Sequence, residues 1–381
     1  MKTKLDKYFR ISQRGSTIGT ELIGGATTFA TMAYILAYMT GAMSAVPGID
    51  LTGVLLCTAL ITAISCIAMG LVANAPIALA PVLVIPNLVA GMVASGEATY
   101  GQAFGTVAIS GIVFLLISVF KLRDLFARSL PKNIKIGIGG AVGLLIASIG
   151  LNTSGLAAAG EDGSFINFSD KSVQLGLIGL AIALLLTYLK ITVNGRTYKI
   201  KGALLISIVL TTIIGIPMGV TVLPENIFTR GALASIGNVA FQVDILGALK
   251  LSFVPFIIML LINDFFGTLG TGLAMAGKAG LLDEDGNFPA FGKVFLVDSS
   301  ATILGSLFGI TTVSCFAESA AGVESGSRTG LSNLSTAFFF LLCMLFSPLF
   351  LMIPGAATGS ALIVVGISML ETLRGIDFEP V

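Results

Sequence analysis

The stretch Pro76–Asn87 reads PIALAPVLVIPN, and it cannot form one continuous helix. Pro81 and Pro86 each lack a backbone N–H, and a proline inside a helix interrupts its hydrogen bonding. The residues Val82–Ile85 between them are mostly β-branched and favour an extended backbone. A second stretch, Thr311–Gly322, reads TTVSCFAESAAG and has the same order, a short β-branched run before small residues. We therefore expect two interrupted segments, each with extended backbone before a half-helix.

The composition places both segments inside a membrane protein. The chain has 381 residues, of which 55% are hydrophobic and only 11% charged, with a mean hydropathy of +0.99. An average soluble protein carries about 25% charged residues, which it needs to cover its surface. The apolar stretches run to about 20 residues without alternation, which excludes a β-barrel. The sequence predicts an all-α polytopic membrane protein.

Apolar length and the placement of Gly, Pro and charged residues predict about twelve spans. The interrupted segments are the third and the tenth, and interrupted segments in corresponding positions indicate inverted repeats with the binding site at their interface. Their spacing implies a repeat of seven spans, whereas the chain ends at Val381 after about twelve. The predicted spans are 22–46, 51–73, 76–95, 102–121, 133–151, 173–189, 202–221, 249–275, 290–309, 311–326, 331–352 and 356–372.

Loop charges predict the orientation. With the N-terminus in the cytoplasm, the cytoplasmic loops carry the basic residues and the outer loops carry acidic ones, as the positive-inside rule requires. We therefore expect a multi-pass protein of the plasma (inner) membrane with a cytoplasmic N-terminal segment, and an amphipathic piece, Arg123–Lys132, between the fourth and fifth spans. The basic residues on the inner side include Lys121, Arg128, Lys190, Arg196, Lys199, Lys201, Lys278 and Lys293.

Several classes of chemistry are excluded by what the chain lacks. It contains neither His nor Trp, so histidine-based metal sites, Ser-His-Asp triads and imidazole proton relays cannot form. The cysteines Cys57, Cys66, Cys315 and Cys343 lie in apolar segments without CxxC spacing. No nucleophile–base pair appears, and the net charge of +1 excludes a broad nucleic-acid surface. We expect a protein that is not an enzyme and has no cofactor or metal.

Three acids are candidates for membrane depth, where ionisable groups usually mark a substrate or proton pathway. We expect Glu318 to lie about one turn into the second half-helix, where it accepts N–H groups from a heterocycle and carries a coupling proton. The alternative is that it caps its own half-helix. Asp264 either faces the site or is satisfied by Asn263 and neighbouring hydroxyls. For Asp298 we favour a structural role as a hydrogen-bond hub. Near the cytoplasmic end, Glu324 and Arg328 have the spacing of a surface ion pair.

Four motifs together resemble the AzgA-like purine permeases, a branch of the nucleobase–cation symporter-2 family. Glu318–Leu331 reads ESAAGVESGSRTGL and closely resembles the family signature ESAAG…GxRTGL. Similar matches are found at Thr27–Leu36 (TTFATMAYIL), Pro76–Pro81 (PIALAP) and Lys278–Gly286 (KAGLLDEDG). The resemblance covers essentially the whole chain in order.

The resemblance implies a 7+7 inverted-repeat transporter fold with a core and a gate domain and two short antiparallel strands at the midplane. It implies domains at 1–21 (N-terminal segment), 22–121 and 249–352 (the core halves), 122–221 (the first gate half) and 353–381 (an incomplete second gate half). It also implies that Glu318 is the substrate-binding acid, with ring and backbone contacts from Phe316 and Ala317. The other implied substrate-binding residues are Ser319, Asp264, Gly267, Thr268 and Asn87, with Glu318 and Asp264 coupling the proton.

This sequence departs from the family pattern in three places. The span-eight signature resembles DxFDT, but Gly267 stands where the second acid belongs. After Pro81 the bulkier run Val82–Ile85 replaces a glycine-rich run, and the last two spans of the gate are missing. The function expected from the resemblance is import of adenine, guanine or hypoxanthine with a proton (or Na+) by alternating access in a lipid bilayer, and a homodimer is left open. The alternatives are an anion carrier of the same fold and a transport-inactive permease. The Glu318 carboxylate argues against the former, because it would repel an anion.

Overall fold

The computed structural model describes residues 4–120, 132–157, 168–193, 196–200, 203–284 and 288–370. Most of these residues are helical, and the expected Arg123–Lys132 piece lies outside them except for Lys132. The helices are α1 Lys4–Phe9, α2 Ile18–Met32, α3 Tyr34–Met43, α4 Leu51–Ala68, α5 Ile85–Ala94, α6 Tyr100–Val119, α7 Lys132–Thr153, α8 Lys171–Tyr188, α9 Ala203–Met218, α10 Ala232–Val239, α11 Ile245–Ala248, α12 Val254–Lys278, α13 Phe291–Leu307, α14 Ser319–Glu324, α15 Leu331–Cys343, α16 Ser347–Leu351 and α17 Gly355–Leu370. The strands are β1 Leu79–Pro81, β2 Lys190–Val193, β3 Arg196–Lys199 and β4 Val313–Cys315.

Local sequence accounts for where the helices begin. The side chain of Thr99 accepts a hydrogen bond from the backbone of Gln102, whose own side chain reaches back to Thr99, so α6 starts with a capping box. The Asp50 side chain caps α4 in the same way, by accepting from the Gly53 N–H at 3.0 Å. Helices α5 and α12 carry a proline in their first turn, where no backbone donor is lost.

Six helical segments among the described residues are long and apolar enough to cross a membrane. Their bounds fall close to six of the expected spans, and shorter apolar helices correspond to others. The total number of spans stays a prediction. The six segments are Ile18–Met43, Leu51–Ala73, Tyr100–Val119, Lys171–Tyr188, Leu251–Lys278 and Leu331–Leu351.

The chain divides into two compact units. The first combines Met1–Leu130 with Thr229–Ser347; in it α13 packs on α6, α15 packs on α2 and α4, and β1 pairs with β4. The second combines Pro131–Phe228 with Pro348–Val381; in it α17 packs on α7 and α8, and α8 packs on α9. The second unit also contains the β2–β3 hairpin, which the sequence analysis treated as part of a loop.

The two interrupted segments pair as antiparallel strands, but the first strand lies earlier than expected. Leu79–Pro81 is the strand, opposite Val313–Cys315, and only Val82 continues the ladder by donating to Thr312 O at 2.8 Å. The expected extended run Val82–Ile85 is therefore wrong beyond its first residue, since α5 already begins at Ile85. Pro86 explains this, because its fixed φ suits the first turn of a helix better than the continuation of a strand.

The stretch that follows α14 is hydrogen-bonded to the start of α2. Glu21, fully buried at the start of α2, accepts the backbone N–H groups of Arg328 and Thr329. The expected pair of Glu324 with Arg328 is wrong. Glu324 lies 3.6 Å from Lys278, and the Arg328 guanidinium donates to the carbonyls of residues 323 and 327. Free carbonyls at the end of a helix attract a guanidinium, which explains why Arg328 binds these carbonyls instead of Glu324.

Candidate functional site

The frame of the candidate site is the β1–β4 pair. Non-helical backbone inside an apolar protein needs internal hydrogen-bond partners, and these are present. Ser319 Oγ accepts the N–H of Ala78 at 2.9 Å, so the second interrupted segment is tied directly to the first. Asn333, on α15, donates to the carbonyls of Ala75 and Ile77 at 2.9 and 2.8 Å. The short segments are therefore held in place from two sides.

Glu318 lies immediately before α14, not one turn inside it as expected, because the turn after β4 extends to this residue. Its side chain makes no capping bond to the helix, so the capping alternative is wrong. Instead, the hydroxyl of Tyr34 donates to Glu318 Oε1 at 2.6 Å, and Thr31 donates to the Glu318 carbonyl at 3.2 Å. The residue is half-buried. Helices α2 and α3 thus position a carboxylate that remains partly accessible.

The neighbours of Glu318 differ in what they can offer a ligand. Ala317 is exposed beside the carboxylate, and its carbonyl accepts the N–H of Ala320 at 3.0 Å. Phe316 is only 6% exposed, and its N–H already bonds to the carbonyl of Ala78 at 2.9 Å. Ser319 is fully buried and its hydroxyl is used within the frame. Of this group, Ala317 and Glu318 are the best placed to contact a small molecule.

Asn87, on α5, belongs to a second hydrogen-bond network, which connects α5 to α3. Its amide donates to the hydroxyl of Tyr38, and that hydroxyl donates to the carbonyl of Leu83. Tyr34 and Tyr38 are one helical turn apart, so α3 contacts both interrupted segments through two tyrosines. The sequence analysis did not single out either residue. A signal was present, since Tyr34 lies within the matched stretch Thr27–Leu36 and a tyrosine hydroxyl in an apolar helix needs a partner.

Helix α12 runs beside β4 at the position of the missing acid. A Cβ built on Gly267 would lie 3.5 Å from Ser314 Oγ, which is ordinary contact, and the residue is half-buried. The next residue, Thr268, is fully buried, and its hydroxyl lies 2.7 Å from the same Ser314 Oγ. Gly267 therefore offers space next to the strand pair.

The two aspartates of α12 and α13 are buried rather than exposed to a ligand. Asp264 is 2% exposed and accepts a hydrogen bond from Thr302 at 2.9 Å, so the partner is a hydroxyl but not Asn263. Asp298 is fully buried and accepts from Thr268 at 2.5 Å, in line with its expected role in hydrogen bonding. Both lie next to an aromatic cluster that includes Phe265 and other rings of α6 and α13.

A cavity of about 530 Å³ is found elsewhere in the first unit, between α5 and the start of α12. Its lining is mainly apolar and includes Leu88, Met92, Phe253, Phe256 and Met259. None of the expected site residues lines it, so we do not assign the substrate to this cavity.

Residues 19–381 match the family model described as the permease family, Xan_ur_permease, which covers almost the whole chain. The chain belongs to this permease family. It is 33% identical to the adenine permease AdeP of Escherichia coli over 98% of this chain and 82% of that one. It is 31% identical to the guanine/hypoxanthine permease PbuG of Bacillus subtilis over 98% and 85%. These matches confirm the resemblance to purine permeases and a multi-pass membrane protein.

The fold is also that of a solved transporter. The transmembrane domain of the cyanobacterial bicarbonate transporter BicA superimposes with a TM-score of 0.68 over 92% of this chain and 89% of that one. The sequence identity is 16%, so this likeness speaks for the fold alone. Together with the paired short strands, it confirms the expected helical transporter fold.

Proposed function

We propose that this protein imports a purine nucleobase together with a proton across the plasma membrane by alternating access, with its N-terminus in the cytoplasm. Membership of the permease family and the names of relatives, adenine permease and guanine/hypoxanthine permease, support the substrate class. The observation that carries the proposal is the half-buried Glu318 carboxylate, fixed by Tyr34 at the end of the paired strands.

Glu318 suits a nucleobase because a carboxylate accepts the N–H groups that a purine presents. The exposed residue Ala317 lies next to it in the chain, and the buried Phe316 ties the turn to the first segment through its N–H bond to the carbonyl of Ala78. Gly267, Thr268 and Asn87 border the same frame through Ser314 and Tyr38. For the coupling proton, the half-buried Glu318 and the buried Asp264 are the first candidates.

The division of the chain supports alternating access. We assign the first compact unit, with the strand pair and Glu318, to the core domain and the second unit to the gate domain. In such transporters one domain moves against the other around a site near the midplane. A homodimer is also part of this proposal.

The sharpest test replaces Glu318 by glutamine and measures purine affinity of the purified protein. Glu318→Gln exchanges an acceptor for a donor and removes a charged hydrogen bond, which costs about 1.5–3 kcal/mol. The expected loss is roughly 10- to 150-fold in affinity for adenine, guanine or hypoxanthine. The matched control is Glu324→Gln on the same short helix, where the acid makes an exposed ion pair and the expected change is below about 1 kcal/mol.

Two results would contradict the proposal. A folded Glu318→Gln protein that binds every purine as tightly as the parent would leave Glu318 without a role in binding. Stabilisation of the parent by bicarbonate or another oxyanion, but by no purine, would favour the anion carrier, for which the fold shared with BicA is the supporting observation. Thermal unfolding with a panel of purines, pyrimidines and oxyanions distinguishes these cases, because ligand-linked stability does not need a complete transport cycle.

A further inference from the structure

Glu21 is a fully buried acid near the start of α2, and its partners lie 307 and 308 residues further along the chain. It accepts the backbone N–H of Arg328 at 2.8 Å through Oε1 and that of Thr329 at 3.3 Å through Oε2. Both partners belong to the loop Gly326–Gly330, which follows the half-helix α14. A buried carboxylate is costly unless it is hydrogen-bonded, and both oxygens of this one are used to hold the loop.

Two further side chains from the N-terminal part of the chain hold the same loop. The Arg14 guanidinium donates to the carbonyl of Arg328 at 3.0 Å and to the carbonyl of Asn74 at 2.5 Å. Asn74 in turn accepts the N–H of Gly330 through Oδ1 at 2.8 Å. Three successive backbone N–H groups of the loop therefore end on side chains of Glu21 and Asn74, and a carbonyl between them ends on Arg14.

Between this loop and Glu318, the half-helix α14 lies directly on α2. A Cβ on Gly322 would lie 2.7 Å from the carbonyl oxygen of Gly24, and a Cβ on Gly24 would overlap the side chain of Ser327. At this contact no side chain separates the two backbones. Close-packed interiors have low compressibility, so a displacement at one end of α14 is transmitted along it.

At the other end of α14, helices α2 and α3 hold Glu318. Thr31 donates to the Glu318 carbonyl at 3.2 Å, and Tyr34 donates to its Oε1 at 2.6 Å. The contacts run in antiparallel order, because the contacted residue number falls from 329 to 318 as the number on α2 and α3 rises from 21 to 34. Glu21, Gly24 and Thr31 have the spacing of one helix face, which extends about 15 Å from the first to the last.

We propose that Glu21 is a positioning residue for the substrate acid. By holding the loop that follows α14, it fixes where the half-helix lies on α2 and therefore where the Glu318 carboxylate is presented. This inference rests on the proposed function, in which Glu318 binds the purine. Glu21 itself contacts no ligand, because it is fully buried and is bonded to the far end of the half-helix. A hydrogen bond weakens steeply with distance and angle, so a small displacement of Glu318 lowers purine affinity without removing the acceptor.

A glutamate suits this task better than its amide. A carboxylate is an acceptor at both oxygens, whereas glutamine has one acceptor oxygen and an NH2 group that only donates. In Glu21→Gln, one of the two loop N–H groups therefore faces another donor, and the loop loses that anchor. The side-chain volume is almost unchanged, so the substitution changes hydrogen bonding and not packing.

The test compares purine affinity with thermal stability in the purified protein. Well below the unfolding temperature, Glu21→Gln should bind adenine, guanine or hypoxanthine about tenfold more weakly than the parent, which is within the coupling range of residues in one network. The control is Thr99→Ala, which removes the capping box of α6 and lowers stability away from this face of α2. It should lower the Tm and leave purine affinity unchanged.

Hydrogen exchange of the same proteins locates the effect without any ligand. Amide exchange reports local opening of the structure. In Glu21→Gln it should become faster across residues 318–330, whereas Thr99→Ala should leave this segment as protected as in the parent. Unchanged exchange over this segment in Glu21→Gln would show that the carboxylate does not hold the loop, and would overturn the proposal.

Affinity decides the positioning role itself. Unchanged purine affinity in a folded Glu21→Gln protein would overturn it, and so would equal losses of affinity in Glu21→Gln and Thr99→Ala. If Glu21→Gln does not fold, Arg14→Met is the second variant, because it keeps the buried acid but releases the Arg328 carbonyl of the same loop, and the same loss is expected. A parent protein that binds no purine would overturn the proposed function and the positioning role together, whereas a parent that binds purine no better than these variants would overturn the positioning role alone.

Discussion

At the scale of single residues, purine binding beside Glu318 depends on how many further hydrogen-bond acceptors the site offers. Tyr34 satisfies one carboxylate oxygen. The family pattern would place a second acid at Gly267, and this chain has only a hydrogen there. A purine donor left without an acceptor in a dry pocket costs about 1–3 kcal/mol. We therefore expect the parent protein to bind purines weakly.

Gly267→Asp should restore the missing acceptor and strengthen purine binding by about one to two orders of magnitude. The substitution is sterically feasible, since the built Cβ meets only Ser314 Oγ at 3.5 Å. Purine titration of both proteins measures the effect. Gly270→Asp is the matched control, because that glycine lies one turn further along α12, is exposed and has nothing within 4 Å of a built Cβ. If the parent binds tightly and Gly267→Asp weakens binding, another group has replaced the missing acid.

At the scale of elements, the interrupted segments persist because neighbouring helices satisfy their backbone. Asn333 is 2% exposed, and its side-chain amide donates hydrogen bonds to two backbone carbonyls of the first segment. The helix that follows the second strand also packs closely against α2. A Cβ on Gly322 would lie 2.7 Å from the carbonyl oxygen of Gly24, so α14 and α2 can pack this closely only through glycine.

Asn333→Leu keeps nearly the same volume but leaves two buried carbonyls without donors, and it should destabilise the protein by about 1–3 kcal/mol for each. Thermal unfolding in detergent should show a clearly lower Tm than for the parent. Asn152→Leu provides the comparison, because the Asn152 amide is exposed and bonds only within its own helix. Equal Tm values for the two variants would show that the Asn333 amide does not hold the first segment.

At the scale of the whole molecule, the orientation in the membrane follows from loop charges and can be tested across one helix. Glu225 and Glu284 are both exposed, and between them only Leu251–Lys278 is long enough to span. Cysteine at Glu225 should react with an impermeant reagent from outside, and cysteine at Glu284 only from the cytoplasm. The four native cysteines are buried, so the background is low. Labelling of both positions from one side would refute the predicted orientation and span order.

The sequence by itself determined the membrane class, the approximate bounds of most helices and the two interrupted segments, and it singled out Glu318 as the candidate substrate acid, a role that stays a proposal. These features depend on local quantities, namely apolar length, proline positions and an acid in an apolar run. It placed the first strand too late, because Pro86 is compatible with both a strand end and a helix start, and only the pairing with β4 decides between them. The partners of Glu318, Asp264 and Asp298 lie 284, 38 and 30 residues away in the chain. Only the tertiary structure could bring these groups together, because a hydrogen bond depends on distance in space and no spacing rule along one helix extends that far.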